Sequence, residues 1–205
     1  MKRRPVIAIA VAVLGLGVLA GCSGADTSAP SGSSSSQAAS SATDVAFAQS
    51  MIPHHEQAVE MAELALSPDS GASEQVQQLA EQIKAAQDPE IQQMTGWLQS
   101  WGAPTAMPGA SNGGQMQGMD HSGHDMGAMT VAGMMTAEQM QQLQQANGGQ
   151  FDDMWLTMMI AHHQGAVAMA EQAGSSKNQQ VSALADAIIS AQEQEIQQMQ
   201  SMLSS

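Results

Sequence analysis

The feature that most limits what this chain can fold into is an internal duplication. Residues 47–63, Phe-Ala-Gln-Ser-Met-Ile-Pro-His-His-Glu-Gln-Ala-Val-Glu-Met-Ala-Glu, are matched at an offset of 108 by residues 155–171, Trp-Leu-Thr-Met-Met-Ile-Ala-His-His-Gln-Gly-Ala-Val-Ala-Met-Ala-Glu. A second pair, Val76 to Leu98 and Val181 to Leu203, repeats at an offset of 105. Both of its members contain Ala-Gln-x-x-Glu-Ile-Gln-Gln-Met, at Ala86–Met94 and Ala191–Met199. The difference between the offsets falls in the connecting turns, 67–75 and 174–180. Each copy is therefore two segments joined by a short loop.

Periodicity makes those segments helices. Ala48, Ile52, His55, Val59, Ala62 and Leu66 follow one another at alternating spacings of four and three. Phe47, Met51, His54, Ala58, Met61 and Ala65 form the neighbouring stripe, and Glu56, Glu60 and Glu63 lie behind. A wide apolar face with an acidic back is the mark of a helix packed on a core. Helices are expected over roughly 44–66, 75–100, 152–173 and 178–203, with Asp44 and Asp152 as N-caps of the histidine-bearing pair. Pro53 removes a helical hydrogen bond and clashes with the preceding turn, so a kink or a later start is expected there. A short fifth helix is expected near 136–146, capped by Thr136 and stopped by Gly148. Two hairpins with matching apolar faces predict an all-α four-helix bundle in which residues 44–101 and 136–205 form one domain.

The remaining segments are of other kinds. Lys2, Arg3 and Arg4 precede a short apolar run over 6–20, which reads as a signal peptide spanning 1–21. Its end, Leu19-Ala-Gly-Cys22, resembles a bacterial lipobox. That resemblance implies a diacylglyceryl group on Cys22, an anchor in the membrane and an extracytoplasmic location. Residues 22–43 are rich in Ser, Ala and Gly and read as a disordered tether. Residues 102–135, rich in Gly, Met and His, read as a disordered linker. Beyond Cys22 the chain carries two lysines, Lys84 and Lys177, against all 19 acidic residues. Phosphate backbones need cationic patches, so nucleic acid is excluded as a partner and cations are favoured. Cys22 is the single cysteine, which rules out an intrachain disulfide and, once it is lipidated, thiolate metal ligands.

A soft metal must then be held by methionine and histidine. All six histidines sit in three methionine-rich places. Met51, His54 and His55 are helical neighbours at i, i+3 and i+4, and Met159, His162 and His163 repeat them, with Met158 added in the second copy. Met61 and Met169 lie seven residues past the first histidine of each pair, about 10 Å along the axis. They need donors from another helix to join an ion. Folding each hairpin back brings Glu90 level with His54 and Glu195 level with His162, as ligands or as acceptors that orient the imidazoles. In the linker, Met116, Met119, His121, His124, Met126 and Met129 form a third group. Thioether sulfur suits Cu(I) or Ag(I) better than Zn²⁺, Mg²⁺ or Ca²⁺, and imidazole suits either oxidation state of copper. Copper, Cu(I) first and Cu(II) or Ag(I) next, is the expected ligand.

The repeated Met-Ile-x-His-His-x-x-Ala-Val-x-Met-Ala at 51–62 and 159–170 resembles the signature of the domain-of-unknown-function family 305. So do Gly149-Gln-Phe-Asp152 and the Glu-Ile-Gln-Gln-Met of each hairpin. The resemblance covers 44–203 and implies a ferritin-like four-helix bundle, exported, with copper binding and tolerance among its members' roles. It also implies ligand roles for Met51, His54, His55, Met61, Met159, His162, His163 and Met169.

The leading expectation is thus a copper-binding lipoprotein that sequesters the metal or passes it to a partner protein. A surface interaction module with structural histidines is the alternative. A ferritin-like oxidase is disfavoured, because its di-metal site wants Glu-x-x-His and no such motif occurs. No nucleophile triad, phosphate loop or redox cysteine pair is present either, so no enzymatic activity is expected.

Overall fold

In a computed structural model the chain is described over residues 40–106 and 132–204. All regular structure among these residues is helical: α1 (Ala42–Leu66), a 3-10 turn (Pro68–Ser70), α2 (Glu74–Trp101), α3 (Ala137–Gln145), α4 (Gly148–Ala173) and α5 (Gln179–Leu203). The signal segment, Cys22 with its proposed lipid, and most of the tether lie outside the described residues, as does 107–131 of the linker.

The four long helices form two hairpins, α1 with α2 and α4 with α5, and the hairpins meet along α1 and α4. This is the four-helix bundle that the duplication predicts. The apolar faces merge into two clusters. One joins the C-terminal half of α1 (Met61, Ala62) to the start of α2 (Leu79, Ile83), the start of α4 (Phe151, Trp155, Met159) and Met199 at the end of α5. The other joins the N-terminal half of α1 (Phe47, Met51) to the end of α2 (Met94, Leu98), the second half of α4 (Ala166, Ala170) and the start of α5 (Leu184, Ile188). Helices α1 and α4 are therefore antiparallel, and the clusters are related by exchange of the copies. Complete burial of a Leu- or Ile-sized side chain is worth about 1.5–3 kcal/mol, so these two clusters dominate the stability of the bundle.

Local signals set the helix ends, though not always the expected ones. Ser41, not Asp44, is the N-cap of α1. Its hydroxyl accepts from the Asp44 N–H at 3.1 Å, and the Ser41 N–H donates to the Asp44 carboxylate at 2.8 Å, a reciprocal capping box. Helix α4 starts four residues before Asp152, after the tight Ala146-Asn147 break that follows α3. Asp152 therefore cannot cap its own helix. Its carboxylate accepts instead from the Ser73 N–H at the head of α2, at 3.2 and 3.3 Å. Thr136 caps α3 with a second capping box, while Ala146 ends that helix and Gly148, at φ 56°, opens α4 rather than stopping α3. Pro53 does not delay α1, which runs through it from Ala42. A second proline, Pro89, lies inside α2.

Both described ends of the 102–135 segment are fastened to α1. The Gln49 amide donates to the Pro104 carbonyl at 2.7 Å. Gln57 grips Met135 twice: its amide donates to the Met135 carbonyl at 2.9 Å, and its own carbonyl accepts from the Met135 N–H at 2.7 Å. Residues 132–135 thus form a short strap over the bundle rather than free linker. The strap sits close because Gly133, at φ 84°, and Gly165 meet backbone to backbone. A Cβ at Gly165 would collide with the Ala132 carbonyl.

Candidate metal centre

The two His-His pairs face each other between the apolar clusters. His54 and His162 are in ring contact, with centroids 3.8 Å apart and planes 40° apart. All four helical histidines are buried, and Gln87 of α2 and Gln192 of α5 are buried beside the layer. A polar stratum therefore crosses the middle of an otherwise apolar bundle.

Each hairpin holds its second histidine by the same bond. His55 Nε2 donates to Glu90 Oε2 at 2.8 Å, and His163 Nε2 donates to Glu195 Oε2 at 2.8 Å. The carboxylates thus orient the imidazoles. His54 Nε2 donates to the Ala132 carbonyl of the strap at 3.1 Å. An imidazole that donates through Nε2 presents Nδ1 as a lone pair when neutral. The Nδ1 atoms of His54, His55 and His163 are buried with no hydrogen-bond partner. His162 has no well-formed hydrogen bond at either nitrogen. Buried polar atoms normally find a partner, and each one left alone costs about 1–3 kcal/mol.

Burial drives the first histidine of each pair toward its neutral form. His54 is pushed down to about 4 by burial, opposed by its bond to the Ala132 carbonyl and aided by the neighbouring His55 and His163. His162 is pushed down to about 2 by burial, with His54, His163 and His55 adding to the effect against a weak contribution from the His54 backbone. Neutral imidazole is the form that ligates a metal.

Methionines flank the layer on both sides. Met51 lies in one apolar cluster and Met159 in the other, each one turn before its histidine pair. Met61 is buried in the cluster of Met159, and Met169 packs against the cluster of Met51, so each meets the other copy's helix. Met158 has a different setting: it lines the groove between α3 and α4 with Met154 and Gln139. The third group, Met116, Met119, His121, His124, Met126 and Met129, lies outside the described residues.

Among the described residues no three His, Cys, Asp or Glu side chains converge as a metal cage. What is present is a layer of imidazole nitrogen, with His54 and His162 driven neutral, flanked by thioether sulfur, a donor set that fits a soft monovalent ion. Sequence reasoning missed three elements of this centre. The Ala132 carbonyl had no signal in the sequence. Gln87 and Gln192, three residues before Glu90 and Glu195, have no signal in the sequence beyond that spacing. Met94 and Met199, both fully buried, were passed over although the repeated Glu-Ile-Gln-Gln-Met places each four residues after Glu90 or Glu195.

Among solved structures the chain is similar to a DUF305 protein of Streptomyces coelicolor described as secreted, with 30% identity over 79% of this chain and 91% of the other, at a TM-score of 0.65. It is similar to a DUF305 fragment from Deinococcus radiodurans, with 29% identity over 80% and 97% of the two chains and a TM-score of 0.65. It is also similar to CopM in its Cu(I)-bound form, with 28% identity over 78% and 95% and a TM-score of 0.58. CopM has been solved with Cu(II) and with silver as well. No curated protein sequence matches the chain. The model of domain of unknown function DUF305 matches residues 44–203, and the chain belongs to that family.

Proposed function

We propose that this protein is an extracytoplasmic copper-binding lipoprotein that carries Cu(I) as cargo, for sequestration or for delivery to a partner, without catalysing a reaction. The observation that carries this reading is the buried layer of four histidines with unpartnered nitrogens, bounded on both faces by buried methionine. A purely structural layer would leave those nitrogens at a cost, whereas a bound soft ion uses their lone pairs. The binding of Cu(I), Cu(II) and silver by CopM, a relative similar in fold, supports the reading. So does the description of the Streptomyces relative as secreted, for the location. Lipidation of Cys22 rests on its sequence context alone.

A second reading keeps the histidines structural. Its support is the pair of matching His–Glu bonds, which lock α1 to α2 and α4 to α5 without any metal. The two readings separate in one experiment. Residues 23–205 are titrated anaerobically with Cu(I) against a chromophoric chelator, beside a variant lacking 107–131, which leaves the strap in place. Retention of tight binding in the variant is the expected result and assigns the main sites to the bundle. Loss of binding with 107–131 makes the bundle a scaffold, and absence of competition by either protein leaves the structural reading.

A further inference from the structure

The histidine layer divides the bundle into two halves of unequal charge. On one side lie residues 56–86, 132–161 and 196–204, which hold nine acidic residues against Lys84. Lys84 is itself tied to Glu63 at 3.0 Å and to Asp88 at 3.2 Å. On the other side lie 42–53, 91–106 and 164–191, with Asp44, Glu171 and Asp186 against Lys177. Asp44 is buried and accepts from Ser176, whereas Lys177 is exposed in the turn after α4. Residues 91–106, the end of α2 and its exit, contain no charged residue.

The weakly charged half also carries aromatic surface at its tip. Trp97 and Trp101 stack with ring centroids 5.8 Å apart and planes 22° apart. Trp97 is buried, and Trp101 stands partly exposed on the last turn of α2. Val45 near the start of α1 and Ala103 just after α2 are likewise only partly buried against the same apolar cluster. Tryptophan has a broad apolar ring and one N–H donor, and it is enriched where a membrane meets water. No helix among the described residues is long and apolar enough to cross a membrane, so lipid contact by these helices is contact at the surface.

The chain that leads from Cys22 arrives at this same tip. Helix α1 begins at Ala42, and the antiparallel hairpin sets the end of α2 beside it. Residues 23–41 separate Cys22 from Ala42 and span at most about 65 Å. The opposite end of the bundle lies a further 38 Å away or so, about the length of the 25-residue α1. A membrane that holds Cys22 therefore has the Trp101 tip as the nearest part of the bundle. Charge acts in the same direction. An anionic lipid surface repels carboxylates, and the repulsion fades over a Debye length of about 8–10 Å. Glu56, the first of the nine acidic residues, is about 21 Å along α1 from Ala42. A bundle standing on its Trp101 tip holds its acidic half beyond that repulsion and brings Lys177 to the lipid phosphates.

We infer that the tip formed by Val45, Trp101, Ala103 and Lys177 is a lipid-contact face, which seats the bundle upright on the membrane that anchors Cys22 and turns its acidic half outward. This inference rests on the lipoprotein reading above and is independent of whether the histidine layer holds metal.

The test uses residues 22–205 coupled through the single thiol of Cys22 to a maleimide lipid, in vesicles of equimolar phosphatidylcholine and phosphatidylglycerol. Tryptophan emission is compared with and without bromination of the acyl chains, which quenches rings lying at the lipid surface. Wild type is expected to be quenched. Trp101→Phe is expected to cut that quenching about twofold or more, because Trp97 is buried behind it and Trp155 is fully buried in the other half. Adding Leu203→Trp to Trp101→Phe moves the reporter to an exposed position at the acidic end and is expected not to restore the quenching. Absence of quenching in wild type, equal quenching in Trp101→Phe, or its restoration by Leu203→Trp would overturn the inference. An unquenched wild type that forms a Trp101-dependent dimer in sedimentation equilibrium would overturn it too, and would assign the tip to a second copy of the chain. Lipidation in the cell is read separately, from the mass of the membrane-extracted protein. An unlipidated mature chain would remove the anchor and the seating with it, whereas failure on the coupled vesicles would leave the anchor standing and overturn the seating alone.

Discussion

The two hairpins are copies, yet they treat the strap differently, and the contrast separates what the duplication preserves from what it has given up. His–Glu bonds of equal length survive in both. So does a crossed pair of capping contacts: Asp44 accepts from the Ser176 hydroxyl in the turn between α4 and α5 at 2.5 Å, and Asp152 accepts from Ser73 in the turn between α1 and α2. The hydrogen bonds from Ser176 and Ser41 outweigh burial and hold the Asp44 carboxyl below its ordinary range. The symmetry fails where the strap crosses. Gln57 and Gly165 occupy equivalent positions, 108 residues apart. One grips Met135 by two hydrogen bonds, and the other has no side chain, so that Ala132 fits against it. In consequence His54 has an acceptor in Ala132 and its counterpart His162 has none. Polar partners are easily kept within a repeated unit. A single strap, occurring once, can serve one copy only.

The largest effect that tests this contrast is acid destabilisation. The folded-state values of His54 and His162 lie below the ordinary value near 6.5, so the unfolded chain binds more protons than the folded one as pH falls. The penalty is absent above pH 6.5, grows below it, and is complete for His54 near pH 4 and for His162 near pH 2. For His54 the full penalty is about 3 kcal/mol, and for His162 it is larger. Denaturant melts of the metal-free protein between pH 7 and pH 4 should lose stability steeply, and His54→Phe and His162→Phe should flatten that slope alike. Between pH 4 and pH 2 His162→Phe should flatten the slope more than His54→Phe, and equal slopes for the two variants there would remove the asymmetry assigned to the strap.

The next effect concerns the prolines, which occur only in the first copy. Pro53 precedes His54, and Pro89 precedes Glu90; the equivalent positions in the second copy are Ala161 and Gln194. Pro53 is exposed, so its replacement disturbs little packing, and the Gln49 carbonyl regains its helical donor. Pro53→Ala should stabilise the protein by about 1–3 kcal/mol in a urea melt, since proline inside a helix costs about 3 kcal/mol. An unchanged or lowered midpoint would mean that surrounding packing already requires the proline geometry.

Much of this molecule was legible in its sequence because the repeat supplies each signal twice. The helices, their pairing into hairpins and the level of Glu90 with the histidines all follow from spacing along single elements. The N-caps at Asp44 and Asp152 were misread because an aspartate before an apolar run is an equally good third helical residue or a cap for a neighbouring helix. The strap was read as linker because Ala-Gly-Met-Met has no period, and its place depends on a hydrogen bond to a residue 78 positions away. Met94 and Met199 escaped for a related reason: their place one turn from the histidine layer appears only when two antiparallel helices are set side by side.

The smallest effect bears on the strap itself, and it can be made to act on one copy at a time. Gln57→Ala removes two hydrogen bonds to Met135, each worth about 1 kcal/mol. It should release the Met135 amide to exchange while leaving the helices protected. Gly165→Gln, which installs the first copy's residue in the second, acts from the other side. Its side chain collides with the Ala132 carbonyl, an overpacking cost of about 1–3 kcal/mol. Glutamine's better helix propensity offsets up to about 1 kcal/mol of that cost. The net change in stability should therefore be small, within about 2 kcal/mol, even though the strap is displaced. Hydrogen exchange at Gly133 and Met135 is the sensitive readout, and it should rise in both variants. If exchange rises in Gln57→Ala alone, the strap is held by its hydrogen bonds and Gly165 is a passive neighbour. If it rises in both, the glycine is as much a part of the strap's seat as the glutamine, and the two copies have diverged in concert to hold one segment.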